Sequence, residues 1–274
     1  MITIEENKSL QQLHTFHLSV SARWFAEYQS IEELIDLLKT DLLRENPFLQ
    51  IGGGSNLLFT SDYEGVILHS KIKFIEVVSE TSEYVTVKAG SGVVWDFVKY
   101  SVSNGWGGAE NLSLIPGEVG ASAVQNIGAY GVEVKDIILQ VEAIEVATGK
   151  ERTFTTAECM YGYRDSIFKK EMKGKYIITS VIYLLRKNPV YHLDYGNLRH
   201  AIGNKNINLQ YSREDNFSFS NDINVPPELL SQFSSSSSNL YALKCEYTEN
   251  DGEYQETMYF AIGPTGGIRQ LHTN

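Results

Sequence analysis

Cysteine is scarce in this 274-residue chain: Cys159 and Cys245 are its two, and they form neither a CxxC pair nor a metal-ligand spacing. That pattern fits a reducing compartment. Positive charge is also short, with 23 Lys and Arg against 34 Asp and Glu and a formal charge of −11. No basic cluster interrupts this background. A nucleic-acid or anionic-membrane surface needs concentrated Lys and Arg to neutralise phosphate, so neither partner is expected. An anionic small molecule could still bind through a few placed residues. Long apolar runs are missing, and the opening Met1-Ile-Thr-Ile-Glu-Glu-Asn7 has no basic-plus-apolar signal region. The expected location is the cytoplasm. His14 and His17 stand three apart without a third ligand or a helix, so no metal is expected and hydrogen-bonded or solvated histidines are. No repeat of fixed period is visible.

What the chain does have is an ordinary globular balance, 42% hydrophobic and 21% charged, and enough length for two or three domains. Its most unusual stretch is Ile115-Pro-Gly-Glu-Val-Gly-Ala-Ser-Ala-Val-Gln-Asn-Ile-Gly-Ala-Tyr-Gly131, with glycines at 117, 120, 128 and 131. Such a segment reads as poor at packing a core but able to bring backbone close to a ligand. Its main-chain groups are of the kind that hold phosphates and flat heterocycles. A second glycine cluster is Gly52-Gly-Gly-Ser-Asn56. No Lys follows it, so it is not a P-loop, and its spacing is not GxGxxG, so it is not the usual dinucleotide fingerprint. Two readings stay open for it: a turn, or a run of N–H groups with Ser55 and Asn56 that forms a small anion nest.

The remaining pattern is mixed. Thr15–Ala26 reads as mostly extended. Ser30 caps an amphipathic helix over 30–39, with Glu33 three residues on and Ile31, Leu34, Ile35 and Leu38 on one face. Pro47–Ile51, Leu57–Phe59 and Gly65–Leu68 read as strands, as do 72–78 and Tyr84–Ala89, where Val85, Val87 and Ala89 alternate with polar residues. Trp95–Val102 is helical in period, and Val141–Ala147, Thr153–Thr155 and Tyr176–Leu185 are further strands.

Three segments in this order carry a resemblance: Gly52-Gly-Gly-Ser-Asn-Leu-Leu-Phe59, Ile115-Pro-Gly-Glu-Val-Gly…Gln125-Asn-Ile-Gly-Ala-Tyr-Gly131, and Tyr161-Gly-Tyr-Arg-Asp-Ser-Ile-Phe-Lys169. With His14-Thr-Phe-His17, Leu112-Ser-Leu-Ile115 and Tyr195-Gly-Asn-Leu198, they resemble the UDP-N-acetylenolpyruvoylglucosamine reductases (the MurB family) over residues 1 to about 209. The resemblance implies an α+β, two-subdomain FAD-binding fold of the MurB/vanillyl-alcohol-oxidase type, with subdomains at 1–70 and 71–209. It also implies noncovalent FAD, NADPH as reductant, and reduction of a UDP-linked enolpyruvyl sugar to UDP-N-acetylmuramate for peptidoglycan synthesis. Gly52, Gly53, Gly54, Ser55, Asn56 and Leu57 would hold the cofactor on one side. Pro116, Gly117, Gly120, Ala121, Asn126, Gly128, Ala129 and Gly131 would hold it on the other. Arg164 matches the family's catalytic arginine, and Tyr163 and Tyr195 fall at substrate-binding positions. Taken without their motifs, Arg164 reads as an ion-pair partner of Asp165 and Tyr195 as a turn-flanking core residue.

After Asn208 the resemblance stops. The family continues into a domain with a proton-donor serine in a glycine-rich segment and a late glutamate, and neither is found after residue 200. Residues 210–274 read instead as an atypical β-rich tail. Pro226-Pro227 breaks it, Ser234–Ser238 reads as linker, and two β-rich runs flank Asn250-Asp-Gly252 as a hairpin. A shifted reading frame, a fused end and a divergent domain all fit this break. The alternatives to the reductase reading are an FAD-binding remnant or regulatory module without turnover, and another flavin oxidoreductase on the same fold.

Overall fold

The structure, a computed structural model, describes residues 2–196 and 198, and beyond them the backbone of four strands. Met1–Tyr211 and Ser212–Asn274 form two separate units.

The first unit opens with β1 (Thr3–Ser9) and β2 (Ser21–Tyr28), then α1 (Ile31–Leu38), α2 (Asp41–Glu45), β3 (Phe48–Ile51) and β4 (Tyr63–Ser70). The sheet order is β1-β2-β4-β3, with β2 and β3 both parallel to β4. The carboxyl ends of three strands therefore lie side by side, which is where open sheets with parallel strands present ligand sites. Helix α1 starts where Ser30 accepts from the Glu33 N–H at 3.2 Å, while the Glu33 carboxylate accepts from Gln29 N at 2.9 Å. Leu34, Leu37 and Leu38 are its buried face, with Ile31 and Ile35 packed alongside. Each fully buried Leu contributes roughly 1.5–3 kcal/mol.

A second sheet follows. β5 (Ile75–Glu80) and β6 (Tyr84–Gly90) lead to α3 (Phe97–Ser103), α4 (Val119–Gln125) and the short pair β7 (Gly128–Ala129) and β8 (Val132–Glu133). β9 (Ile138–Glu145), β10 (Glu151–Thr155) and β11 (Tyr176–Arg186) complete the order β10-β9-β11-β6-β5, antiparallel throughout. Alternation in β6 buries Val85, Val87 and Ala89 against β11 and the helices. The mixture of helices with one mixed and one antiparallel sheet is α+β.

Several expectations need correction. Leu57–Phe59 is not a strand; the chain leaves the turn at 52–56 irregularly and only Phe59 is buried. The strand expected from Ile72 begins at Ile75, and the extended reading of Thr15–Ala26 holds only from Ser21. The largest difference lies in the 115–131 stretch, which does pack a core. Residues 119–125 form α4, with Val119 and Ala123 fully buried and Ile127 close behind. Small side chains at helical spacing let α4 lie directly on β11 and β6. The glycines concealed a helix of small and apolar residues that includes Gly120 itself.

In the second unit β12 (Asn216–Ser220), β13 (Asn239–Glu249), β14 (Gly252–Ile262) and β15 (Ile268–Leu271) form one antiparallel sheet in that order. The tail is β-rich. Pro226-Pro227 and the run Ser234–Ser238, read above as a break and a linker, lie outside the described residues.

Candidate functional site

A cavity of about 400 Å³ opens in the first unit, within the size range of small-molecule and cofactor sites. One wall is the turn Gly52–Leu57 after β3, and the other is Pro116, Gly117, Glu118 and the first turns of α4. The two walls, some sixty residues apart in sequence, are joined by side chains. Ser55 Oγ donates to the Pro116 carbonyl at 3.2 Å and Asn56 Nδ2 donates to Gln125 Oε1 at 2.8 Å. Backbone approaches backbone between them: a Cβ on Gly53 would stand 3.3 Å from Gly117 Cα. Gly54 has φ +66°, where a side chain would run into the Leu13 carbonyl. Phe48, Leu49, Trp95 and Phe168 add apolar surface. Trp95 is fixed by its own backbone N–H to Gly117 O at 3.0 Å and by its indole N–H to Leu112 O at 2.8 Å.

This cradle fits FAD on structural grounds. The glycines bring backbone to the gap where a Cβ would narrow it, and main-chain N–H groups suit a diphosphate. Apolar and aromatic side chains suit a flat ring. Of the residues expected to hold the cofactor, Gly52, Gly53, Gly54, Ser55, Asn56, Leu57, Pro116, Gly117, Gly120 and Ala121 line the cavity.

The other four expected cofactor residues, Asn126, Gly128, Ala129 and Gly131, are not among its lining. Asn126 is fully buried in a left-handed conformation at the end of α4, φ +47°. Its Nδ2 donates to Gly162 O at 2.8 Å and its Oδ1 accepts from Lys135 N at 3.1 Å, so it fastens three segments together. Gly128 and Ala129 pair with Glu133 and Val132 as a two-residue strand.

This short hairpin leads to Arg164. Gly162 and Asp165 close a tight turn through reciprocal backbone hydrogen bonds of 3.0 and 3.1 Å, with Tyr163 and Arg164 at its tip. Arg164 has φ +53°, uncommon without a local reason, and Tyr163 is 86% exposed. The guanidinium donates through Nη2 to the Gly128 carbonyl at 2.7 Å. It is not held by Asp165, which pairs with Lys170 instead; that hydrogen bond and charge hold the Asp165 carboxyl below its usual range. A guanidinium carries five N–H donors, so the bond to Gly128 uses a minority of its capacity for a planar anion. Tyr195 lies over Gly131, where a Cβ would meet its ring at 3.3 Å, and edge-on to Tyr130 at 6.3 Å. Asn111 anchors this arrangement by donating to Tyr130 O at 3.1 Å and to His192 O at 2.8 Å. Tyr195 is thus an exposed residue beside the hairpin, not a core residue.

Sequence reasoning missed the ionisable groups behind the cavity. His69, near the end of β4, presents Nδ1 to Glu27 Oε1 at 2.9 Å and Nε2 to Glu118 Oε1 at 3.0 Å. Lys71 Nζ meets the same Glu27 oxygen at 3.0 Å. Burial pushes the Glu27 carboxyl up, but hydrogen bonds and charge from Lys71 and His69 more than reverse it, for a net downward shift. No local pattern announces contacts 42 and 49 residues apart. His14 is buried, with Nε2 3.2 Å from Leu18 O, and His17 Nδ1 lies 2.9 Å from Gln11 O.

Among the described residues no group of three or more His, Cys, Asp or Glu is placed to hold a metal ion, and no helix is long and apolar enough to cross a membrane.

Residues 22–155 match the family model described as an FAD binding domain. A UDP-N-acetylenolpyruvoylglucosamine reductase of Bacteroides fragilis is 54% identical over 200 residues, covering 73% of this chain and 60% of the relative. The reductase of Flavobacterium johnsoniae is 43% identical over 206 residues, covering 74% and 60%. The chain thus spans about 60% of the length of these curated relatives. The crystal structure of UDP-N-acetylenolpyruvylglucosamine reductase (MurB) from Thermus caldophilus superposes with a TM-score of 0.56 at 22% identity, over 68% of this chain and 63% of that one. A variant of Physcomitrella patens BBE-like 1 superposes at 0.50 with 13% identity, over 68% and 42%. In sequence the N-terminal three quarters of this chain is similar to the UDP-N-acetylenolpyruvoylglucosamine reductases, and its fold is their FAD-binding fold.

Proposed function

We propose that this chain binds FAD noncovalently between Gly52–Leu57 and Pro116–Ala121, and serves the NADPH-dependent reduction of UDP-N-acetylglucosamine enolpyruvate to UDP-N-acetylmuramate. The observation that carries this reading is the glycine cradle, where two distant backbone segments meet around a cavity of about 400 Å³. Bound FAD supplies the redox chemistry that links the nicotinamide to the enol-ether double bond. The chain's own residues do the rest. Main-chain groups of the two walls hold the diphosphate and orient the ring. Asn126, Gly128, Ala129 and Gly131 serve the cofactor from behind, by fixing α4 and the β7–β8 hairpin against the Arg164 turn.

Arg164 is the catalytic cation for the substrate carboxylate and for the negative charge that develops beside it. A preorganised donor aimed at developing charge stabilises the transition state more than the ground state. Its planar fork suits a carboxylate, and the bond to Gly128 ties its position to the hairpin. Tyr163 and Tyr195, both exposed, bind the sugar nucleotide. A cytoplasmic location for the chain follows from the same reading.

A second reading, FAD binding without turnover, is favoured by the change of character after Asn208, where no donor-serine segment is read. The test is to mix purified protein, FAD, NADPH and the enolpyruvyl sugar nucleotide and follow absorbance at the nicotinamide band. NADPH loss that depends on the sugar nucleotide supports the reductase. Flavin reduction without substrate consumption supports the second reading, and a protein that takes up no FAD overturns both.

A further inference from the structure

Glu118 is an unusual residue for the wall of a cavity that would hold a diphosphate. It is 8% exposed, and its Oε1 is taken by His69. Its second oxygen, Oε2, is directed at the opposite wall: a Cβ on Gly52 would lie 3.3 Å from it. Both Gly52 and Glu118 line the cavity. A buried carboxylate is costly unless donors meet it, and a carboxylate in a ligand cavity meets the ligand's donors. Among the donors of a flavin nucleotide, the hydroxyls of its polyol chain and its ribose match a carboxylate acceptor.

The groups behind Glu118 explain how it is held. His69 is 5% exposed and stands between two carboxylates, 2.9 Å from Glu27 and 3.0 Å from Glu118. Both of its ring nitrogens face carboxylate oxygens. Lys71 closes the far end on Glu27. Strand register supports the arrangement, since Glu27 and His69 are directly paired across β2 and β4. The Tyr28 phenol, next to Glu27 in sequence, is occupied with Gln50 Oε1 at 3.0 Å. The string therefore runs from one subdomain, through β2 and β4, to the residue that precedes α4 in the other.

Resting on the FAD reading above, we propose that Glu118 is a cofactor-orienting acceptor for a hydroxyl of the flavin nucleotide, with His69 and Glu27 as the positioning residues that aim it. The test uses the full-length protein freed of flavin and titrated with FAD and with FMN, followed by flavin fluorescence, beside the melting temperature of the flavin-free protein. Glu118→Ala is expected to weaken FAD about tenfold or more, the scale of a hydrogen bond to a charged group. The flavin-free variant is expected to lose less stability than affinity, since His69 keeps its contact with Glu27. His69→Ala is expected to weaken FAD similarly, and His69→Gln, which keeps a donor toward Glu118, to recover much of the loss. Equal weakening of FMN assigns the hydroxyl to the polyol chain, and weakening of FAD alone assigns it to the ribose; both support the proposal. Glu118→Ala binding FAD within twofold of wild type overturns it, as does an affinity loss matched by an equal loss of flavin-free stability. Wild-type protein that binds no FAD overturns the parent reading and this one with it.

Discussion

A methyl group placed on Gly53 would press on Gly117 Cα at 3.3 Å across the cavity, whereas one on Gly54 would collide with the Leu13 carbonyl on the opposite side. The two substitutions therefore separate binding from folding. Gly53→Ala is expected to leave the melting temperature near wild type and to weaken FAD by tenfold or more. Gly54→Ala, strained at φ +66° as well, is expected to destabilise the first unit by ~2–4 kcal/mol. Parallel thermal melts and flavin titrations decide, and the reverse pattern contradicts the cradle. Arg164→Ala is expected to lower turnover ~10²–10³-fold with FAD affinity changed by no more than a few-fold. Stopped-flow measurement of the substrate half-reaction checks this. At this scale the sequence was informative where a motif was local. The glycines of 52–56 and Arg164 stood out in the letters; the Glu27–His69–Glu118 string did not, because its members meet only after β2, β4 and α4 have assembled.

Helix α1 shows how far local signals reach. Ser30 was legible as its cap, and the bond to Glu33 N is present at 3.2 Å. Ser30→Ala is expected to cost ~1 kcal/mol, read as a lower urea midpoint with unchanged slope. Helix α4 was not legible, since its glycines and small residues read as poor at packing a core. Tertiary packing against β11 and β6 overrode that weak local preference. The alternation of Val85, Val87 and Ala89 made β6 plain, whereas Leu57–Phe59 carried strand-like residues and no sheet partner. The β2–β4 pair also carries a pH dependence. Because the Glu27 carboxyl is held below its ordinary value of 4.5, its contribution is present above that pH and is lost as pH falls through the lower folded value. Melting temperature is therefore expected to drop below about pH 4.5 in the wild type. The drop should be shallower in Glu27→Gln, and identical acid profiles would contradict the assignment.

For the molecule as a whole, Met1–Tyr211 holds both sheets, the cavity and the Arg164 turn, and the strands of Ser212–Asn274 form a sheet of their own. The change of character after Asn208 could be read from the letters because a motif-dense chain gives way to Pro-Pro and a serine run. What that change does to turnover could not, since chemistry depends on groups brought together in space. The central claim concerns the cofactor, and equilibrium titration of the purified full-length chain with FAD tests it most directly. The account predicts one FAD per chain, with flavin fluorescence altered on binding and a raised melting temperature. A chain that stays colourless, leaves flavin fluorescence unchanged and melts at the same temperature with and without FAD would contradict it.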